Sequence, residues 1–204
     1  PGIQHWRLRT ASGLSNPLRF VVGNLPEVLE PEPHRFDLLR QVGLAPDAPP
    51  GRSQRRRTEP VVPPATLNGR ILPGEVDEFI FRATEGEKLV VSLQARTLIP
   101  YLADAVPGWF QAVVSLHDAR GRELVFADDH QFDPDPVIFY QIPREGEYRL
   151  RIRDAIYRGR EDFVYRIRLG ELPFLTAVTP LGGQAGSEID LTFHGANLTE
   201  HYFP

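Results

Sequence analysis

From Leu67 onward the chain alternates. Short runs with apolar residues at every second position are separated by turn signals about every eight to twelve residues, the rhythm of a β-sandwich or barrel. In DEFIFRA (77–83), Phe79 and Phe81 share one face, and KLVVSLQA (88–95) follows a tight turn at TEGE that contains Gly86. QAVVSLHDARGRELVFA (111–127) predicts two strands joined by a turn over Asp118–Gly121. PVIFYQI (136–142) and EYRLRIRD (147–154) predict a second hairpin, and DFVYRIRLG (162–170) closes the set.

The last two runs carry the most information. Tyr148, Leu150 and Ile152 oppose Arg149, Arg151 and Arg153; Phe163, Tyr165, Ile167 and Leu169 oppose Val164, Arg166 and Arg168. Alternation of this kind means one buried face and one wet face. No run has a helical period. The prediction is therefore an all-β fold of two packed antiparallel sheets.

The ends differ. WRLRTASGLSNPLRFVVG (6–23) reads as the last hairpin of a small β-domain, and FLTAVTPLGGQAGSEIDLTFHGANL (174–198) as the first strands of another. Each is too short to bury a core alone. Residues 45–65, rich in proline and arginine, predict an exposed linker, with RSQRRR (52–57) as a protease-sensitive loop.

Composition narrows the classes. The chain has 204 residues, with 20 prolines and 17 glycines among short apolar runs, as expected for many strands and turns. Its formal net charge of −4 predicts neither a nucleic-acid nor an anionic-membrane partner. No stretch approaches the roughly 20 apolar residues of a membrane span. The absence of cysteine excludes disulfides, thiol nucleophiles and thiolate metal sites. The chain lacks methionine and opens on Pro1 without signal-peptide features, which predicts an excised piece of a longer protein.

Four features are candidates for chemistry. In VLEPEPHRFD (28–37), Glu30 and Glu32 each precede a proline, which biases both toward extended backbone. FADDHQFDPDP (126–136) holds Asp128, Asp129, Asp133 and Asp135, but its spacing is turn chemistry and not an EF-hand. If their strands pair, Arg149, Arg151, Arg153, Arg166 and Arg168 form one stripe, either laced by carboxylates such as Glu78, Asp154, Glu161 or Asp162 or open to a polyanion. TLIPYLADAVPGWFQA (97–112) carries Tyr101, Trp109 and Phe110, as anchors for a sugar or protein or as a plug of the sandwich end. Catalysis finds no motif: His117 and Asp118 are adjacent, so they point to opposite faces of a strand, and His130 has no second histidine nearby.

LNGRILPGEVDEFIF (67–81), EGEKLVVSLQAR (85–96), SLHDARGRELVFADD (115–129) and PREGEYRLRIRDAIYRGREDFVYRI (143–167) together resemble the bacterial pre-peptidase C-terminal domain, a jelly-roll-like sandwich similar to the collagen-binding domain of bacterial collagenases. GLSNPLRFVVG (13–23) and VTPLGGQAGSEIDLTFHGANL (178–198) resemble pieces of IPT/TIG immunoglobulin-like domains. The resemblance implies a division into 1–28, an acidic, proline- and arginine-rich linker 29–66, a sandwich 67–172, and 173–204. It implies a non-catalytic accessory or spacer module of an exported multidomain bacterial protein, secreted, periplasmic or on the cell surface. Its partners would be neighbouring β-domains of the same polypeptide, with an extracellular polysaccharide or protein as ligand in the alternative reading. It also implies calcium, held by Glu30 and Glu32 of the linker and by Glu75 and Asp77 of GEVDEF. The sequence departs from the family at Pro33-His34-Arg35, where the family usually has Pro-Asn-Asp.

Overall fold

A computed structural model describes residues 1–30, 59–99 and 109–198. Its centre is two stacked sheets. The strands β5 (Glu27–Leu29), β6 (Ala65–Arg70), β8 (Lys88–Gln94), β11 (Val137–Gln141) and β13 (Val164–Gly170) form a five-stranded sheet in the order β11-β8-β13-β6-β5. Against it lies a four-stranded sheet, β10-β9-β12-β7, built from β7 (Asp77–Ala83), β9 (Ala112–Asp118), β10 (Glu123–Ala127) and β12 (Gly146–Asp154). There is no helix among the described residues. The fold is an all-β sandwich.

The alternation in the sequence is the alternation in burial. Phe79, Phe81 and Ala83 of β7, Tyr148, Leu150 and Ile152 of β12, and Tyr165, Ile167 and Leu169 of β13 all face the core. Each large apolar side chain buried this way contributes about 1.5–3 kcal/mol. Two acids lie on the same inward rows: Asp77 begins the β7 row and Asp154 ends the β12 row, 4% and 0% exposed.

Strand pairing departs from the expected hairpins at one place. β9 and β10 do pair as one hairpin through the turn at Gly121. The runs at 136–142 and 147–154 do not: β11 pairs with β8, while β12 lies between β7 and β9 in the opposite sheet. Likewise β7 and β8 belong to different sheets, so the Gly86 turn is a crossing between layers. A strand with one buried face shows the same alternation whether its neighbour in sequence pairs with it or crosses the core. Local pattern therefore cannot separate the two.

At the N-terminal end, β1 (Gly2–Trp6) pairs with β4 (Leu18–Val22) and the short β2 (Arg9–Thr10) with β3 (Gly13–Leu14). Trp6 and Phe20 stack there with ring centroids 4.7 Å apart. At the other end, β14 (Phe174–Thr179) pairs with β15 (Thr192–Ala196). That hairpin is tied to the sandwich: Asn197 Nδ2 donates to the carbonyls of Lys88 and Leu172, at 2.8 and 3.1 Å. Phe174 also packs edge-on against Phe139 and His130.

Candidate functional site

The first strand of the five-stranded sheet arrives from the N-terminal side and runs parallel to β6, with Val28 opposite Leu67. It is held at both ends. Glu27 takes a two-pronged ion pair from Arg166 at 2.6 and 2.8 Å and a hydrogen bond from Asn68 Nδ2 at 2.8 Å. Burial opposes ionisation of Glu27, but Arg166 and Asn68 outweigh it and hold the carboxyl below its usual range. Two residues past Val28, the backbone N–H of Glu30 donates to Asn68 O at 2.8 Å, and the Glu30 carboxylate accepts from Arg70 N–H at 3.2 Å.

This seating carries Glu30 to the β6–β7 turn. There the Glu75 carboxylate accepts from Leu72 N–H at 2.8 Å, closing the turn around itself. Asp77, facing the core, accepts from the Tyr165 hydroxyl at 2.7 Å across the two sheets. One carboxylate oxygen each from Glu30, Glu75 and Asp77 lies within 4.8 Å of the others. Gly69 makes room for the arrangement, since a β-carbon there would collide with the Tyr165 hydroxyl and the Glu30 carboxylate.

Three acids this close raise the energy of their own ionised forms. Burial first, and then the charge of Glu30, pushes the Asp77 carboxyl up to about 9, against the opposing pull of the Tyr165 hydrogen bond. Burial and the Asp77 charge push the Tyr165 phenol up as well, so it stays a donor. The donor set is oxygen only, with one acid in the core, one in a turn and one on a docked strand. Such a set suits a hard divalent cation, which takes about six to eight oxygens, and offers nothing to a soft metal. Of the four expected ligands, Glu30, Glu75 and Asp77 are brought together, while Glu32, with His34 and Arg35, lies outside the described residues.

The aromatic loop reads differently in the structure. Tyr101 lies outside the described residues. Trp109 and Phe110 are 8% and 1% exposed and pack on Phe163, at centroid distances of 5.0 and 5.2 Å. They plug the sandwich end and are not surface anchors. Apolar rings beside a strand end lower the free energy more by entering the core than by standing in water.

The arginines do not form one stripe, because β12 and β13 belong to opposite sheets. Arg151 Nε donates to Glu78 at 2.7 Å, and Arg149 reaches Glu78 at 3.6 Å and Glu147 at 3.4 Å. Arg153 donates to the carbonyls of Asp154 and Ala155 and lies over the Tyr157 ring at 5.0 Å. Arg166 belongs to Glu27, and Arg168 sits opposite Thr66 and Ser92 on the other sheet. A single polyanion-binding face of all five is therefore ruled out by topology. The expected lacing carboxylate Glu78 does pair with arginine, whereas Asp154 and Asp162 pair with Arg158 and Arg160 outside the stripe.

In the second acidic run, Asp135 accepts from the N–H groups of Ala95, Arg96 and Thr97, and Asp133 accepts from Asp135 N–H. This is turn chemistry, as expected. His117 turns away from Asp118 toward Ser115 Oγ, at 2.9 Å, and the Gly121 carbonyl.

Sequence reasoning missed Tyr165, Glu27 and Gly69. Tyr165 and Asp77 are both on inward registers, and an inward tyrosine and an inward acid each require a polar partner. Glu27 and Gly69 leave no such signal, since their roles depend on which strands become neighbours.

No protein-family profile and no curated protein matches this chain. Among solved structures it is similar to the 1.0 Å crystal structure of the pre-peptidase C-terminal domain of a collagenase from Bacillus anthracis. The two are 10% identical, with 53% of this chain and 90% of that chain covered and a TM-score of 0.38. The sandwich is shown by the strand order itself.

Proposed function

We propose that this chain is a non-catalytic accessory module of a larger exported protein, a spacer whose leading strand is clamped to the sandwich by calcium. The observation that carries the reading is the meeting of Glu30, Glu75 and Asp77 from three separate elements, with their oxygens within 4.8 Å. Two of these acids belong to the sandwich and one to the strand that enters it. Bound calcium supplies the positive charge that lets all three ionise together. Glu30 then holds β5 by its side chain as well as by its backbone, while Glu27 and Arg166 hold the start of the same strand. Tyr165 orients Asp77, and Leu72 N–H orients Glu75. The family resemblance in the sequence points the same way, and the hairpins at either end suit a position between other β-modules.

The test is thermal unfolding of the 204-residue chain in excess calcium and in chelator. A ligand that binds only the native state at about a hundred times its Kd stabilises by about 2.7 kcal/mol. For a domain of this size that is roughly 5–10 °C in Tm. The shift should vanish in Glu30→Gln/Glu75→Gln. No shift in the unmutated chain would remove calcium from the reading.

A further inference from the structure

The connection from β10 to β11 presents an aromatic ring where folding gives no reason for one. Phe132 is fully exposed, and both Gln131 and Phe132 have left-handed backbone, with φ of 51° and 68°. Asparagine or glycine would sit there at lower backbone strain, and any polar residue at lower solvation cost. The tip is nevertheless tied by hydrogen bonds. His130 and Asp133 exchange backbone hydrogen bonds at 2.8 and 2.9 Å, and Asp135 anchors the far side through the amides of residues 95–97. Phe126, at the end of edge strand β10, is also 59% exposed.

The surroundings select the partner. Asp128, Asp129 and Asp133 are exposed, and no lysine or arginine occurs between Glu123 and Pro143. An exposed phenyl ring flanked in sequence by exposed carboxylates is complementary to guanidinium or ammonium groups, which are drawn to both the ring face and the acids. We propose that this tip docks an arginine- or lysine-rich segment of another protein. Preformed loop geometry lowers the ordering cost of such docking. The surface is separate from the carboxylate cluster at β5.

Nona-arginine, labelled with fluorescein, is titrated with the full chain by fluorescence anisotropy at low and high salt, with nona-glutamate as control. Saturable binding of nona-arginine alone is expected. Phe132→Ser and Phe132→Leu should each weaken it about two- to fivefold, the factor expected of a cation–π contact at an exposed site. Their thermal midpoints should match the unmutated chain. Asp128→Asn/Asp129→Asn should weaken binding further and flatten its salt dependence, whereas Glu188→Gln/Asp190→Asn should leave it unchanged. Absence of saturable binding overturns the proposal. So does a Phe132 variant that binds normally, or equal effects of the two charge-neutralising pairs, either of which would mean plain ion exchange.

Discussion

Replacing Asp154 by asparagine isolates a side chain of the sandwich whose carboxylate accepts five hydrogen bonds. Asp154 is 0% exposed and ends the inward row of β12. Its two oxygens accept from Arg158 Nε and Nη2 at 3.0 and 2.9 Å, and from the N–H groups of Gln111, Ile156 and Arg158 at 3.1 Å each. Asparagine keeps the shape but can accept on one oxygen only. Its amide would point N–H groups at other donors and leave the Arg158 guanidinium without its counter-charge. Removing one partner of a buried ion pair costs about 3–5 kcal/mol. The Arg158 side chain is 25% exposed and keeps the Trp109 carbonyl at 3.0 Å, so water and that contact recover part of the loss. The expected destabilisation is about 3 kcal/mol.

Urea unfolding at pH 7 measures it directly. With a slope of about 2 kcal/mol per M, the midpoint should fall by roughly 1.5 M. A pH series gives a second reading. Burial opposes ionisation of Asp154, but Arg158 and the surrounding amides outweigh it and hold the carboxyl below its usual range. A lowered acid adds stability that is complete above the unfolded value of about 3.9 and is lost as pH falls through the folded one. The gap between the unmutated chain and the Asp154→Asn variant should therefore be constant at neutral pH and close in strong acid. A midpoint change under about 0.5 M, or a gap that widens toward acid, would refute the ion-pair argument.

Asp77 should behave oppositely. In chelator, stability should decline as pH rises from about 4 toward 9, because the folded chain keeps a proton that the unfolded chain releases. Asp77→Asn should abolish that slope in denaturant midpoints. Gly69→Ala should displace the Tyr165 hydroxyl or Glu30, lowering calcium affinity at least tenfold by calorimetry; unchanged affinity would separate Gly69 from the cluster. Trp109→Ala should cost about 3 kcal/mol in urea as a core truncation, with no saturable glycan binding to lose; normal stability would contradict its burial.

The strands and their inward rows were legible because a half-buried strand must alternate. Sheet partnership was not. The run at 136–142 reads equally well as the partner of 147–154 or as the edge strand against β8 that it is. The same gap misplaced the arginines, whose common register means nothing once β12 and β13 lie on opposite sheets. Trp109 and Phe110 stayed open between anchor and plug for a different reason, since composition cannot tell a presented ring from an inserted one. Three cluster acids were nameable in advance by resemblance, yet Glu27 and Tyr165, which position two of them, required the sheet order.

The two inward acids differ in how their burial is compensated. Asp77 and Asp154 lie on adjacent antiparallel strands, with Asp77 opposite Ile152, so each ends an apolar row at the same end of the core. A carboxylate there must be compensated. For Asp154 the chain supplies the compensation close by, as the Arg158 guanidinium and neighbouring amides, and the group titrates low. Asp77 receives a tyrosine hydroxyl, and burial first, then the charges of Glu30 and Glu75, make it titrate high. Gathering two further acids around a buried one has an electrostatic cost, because each makes the others harder to ionise. An arrangement that is unfavourable as a set of anions becomes favourable when a dication joins it. That asymmetry is the physical reason to look for calcium at Asp77 and for nothing but stability at Asp154.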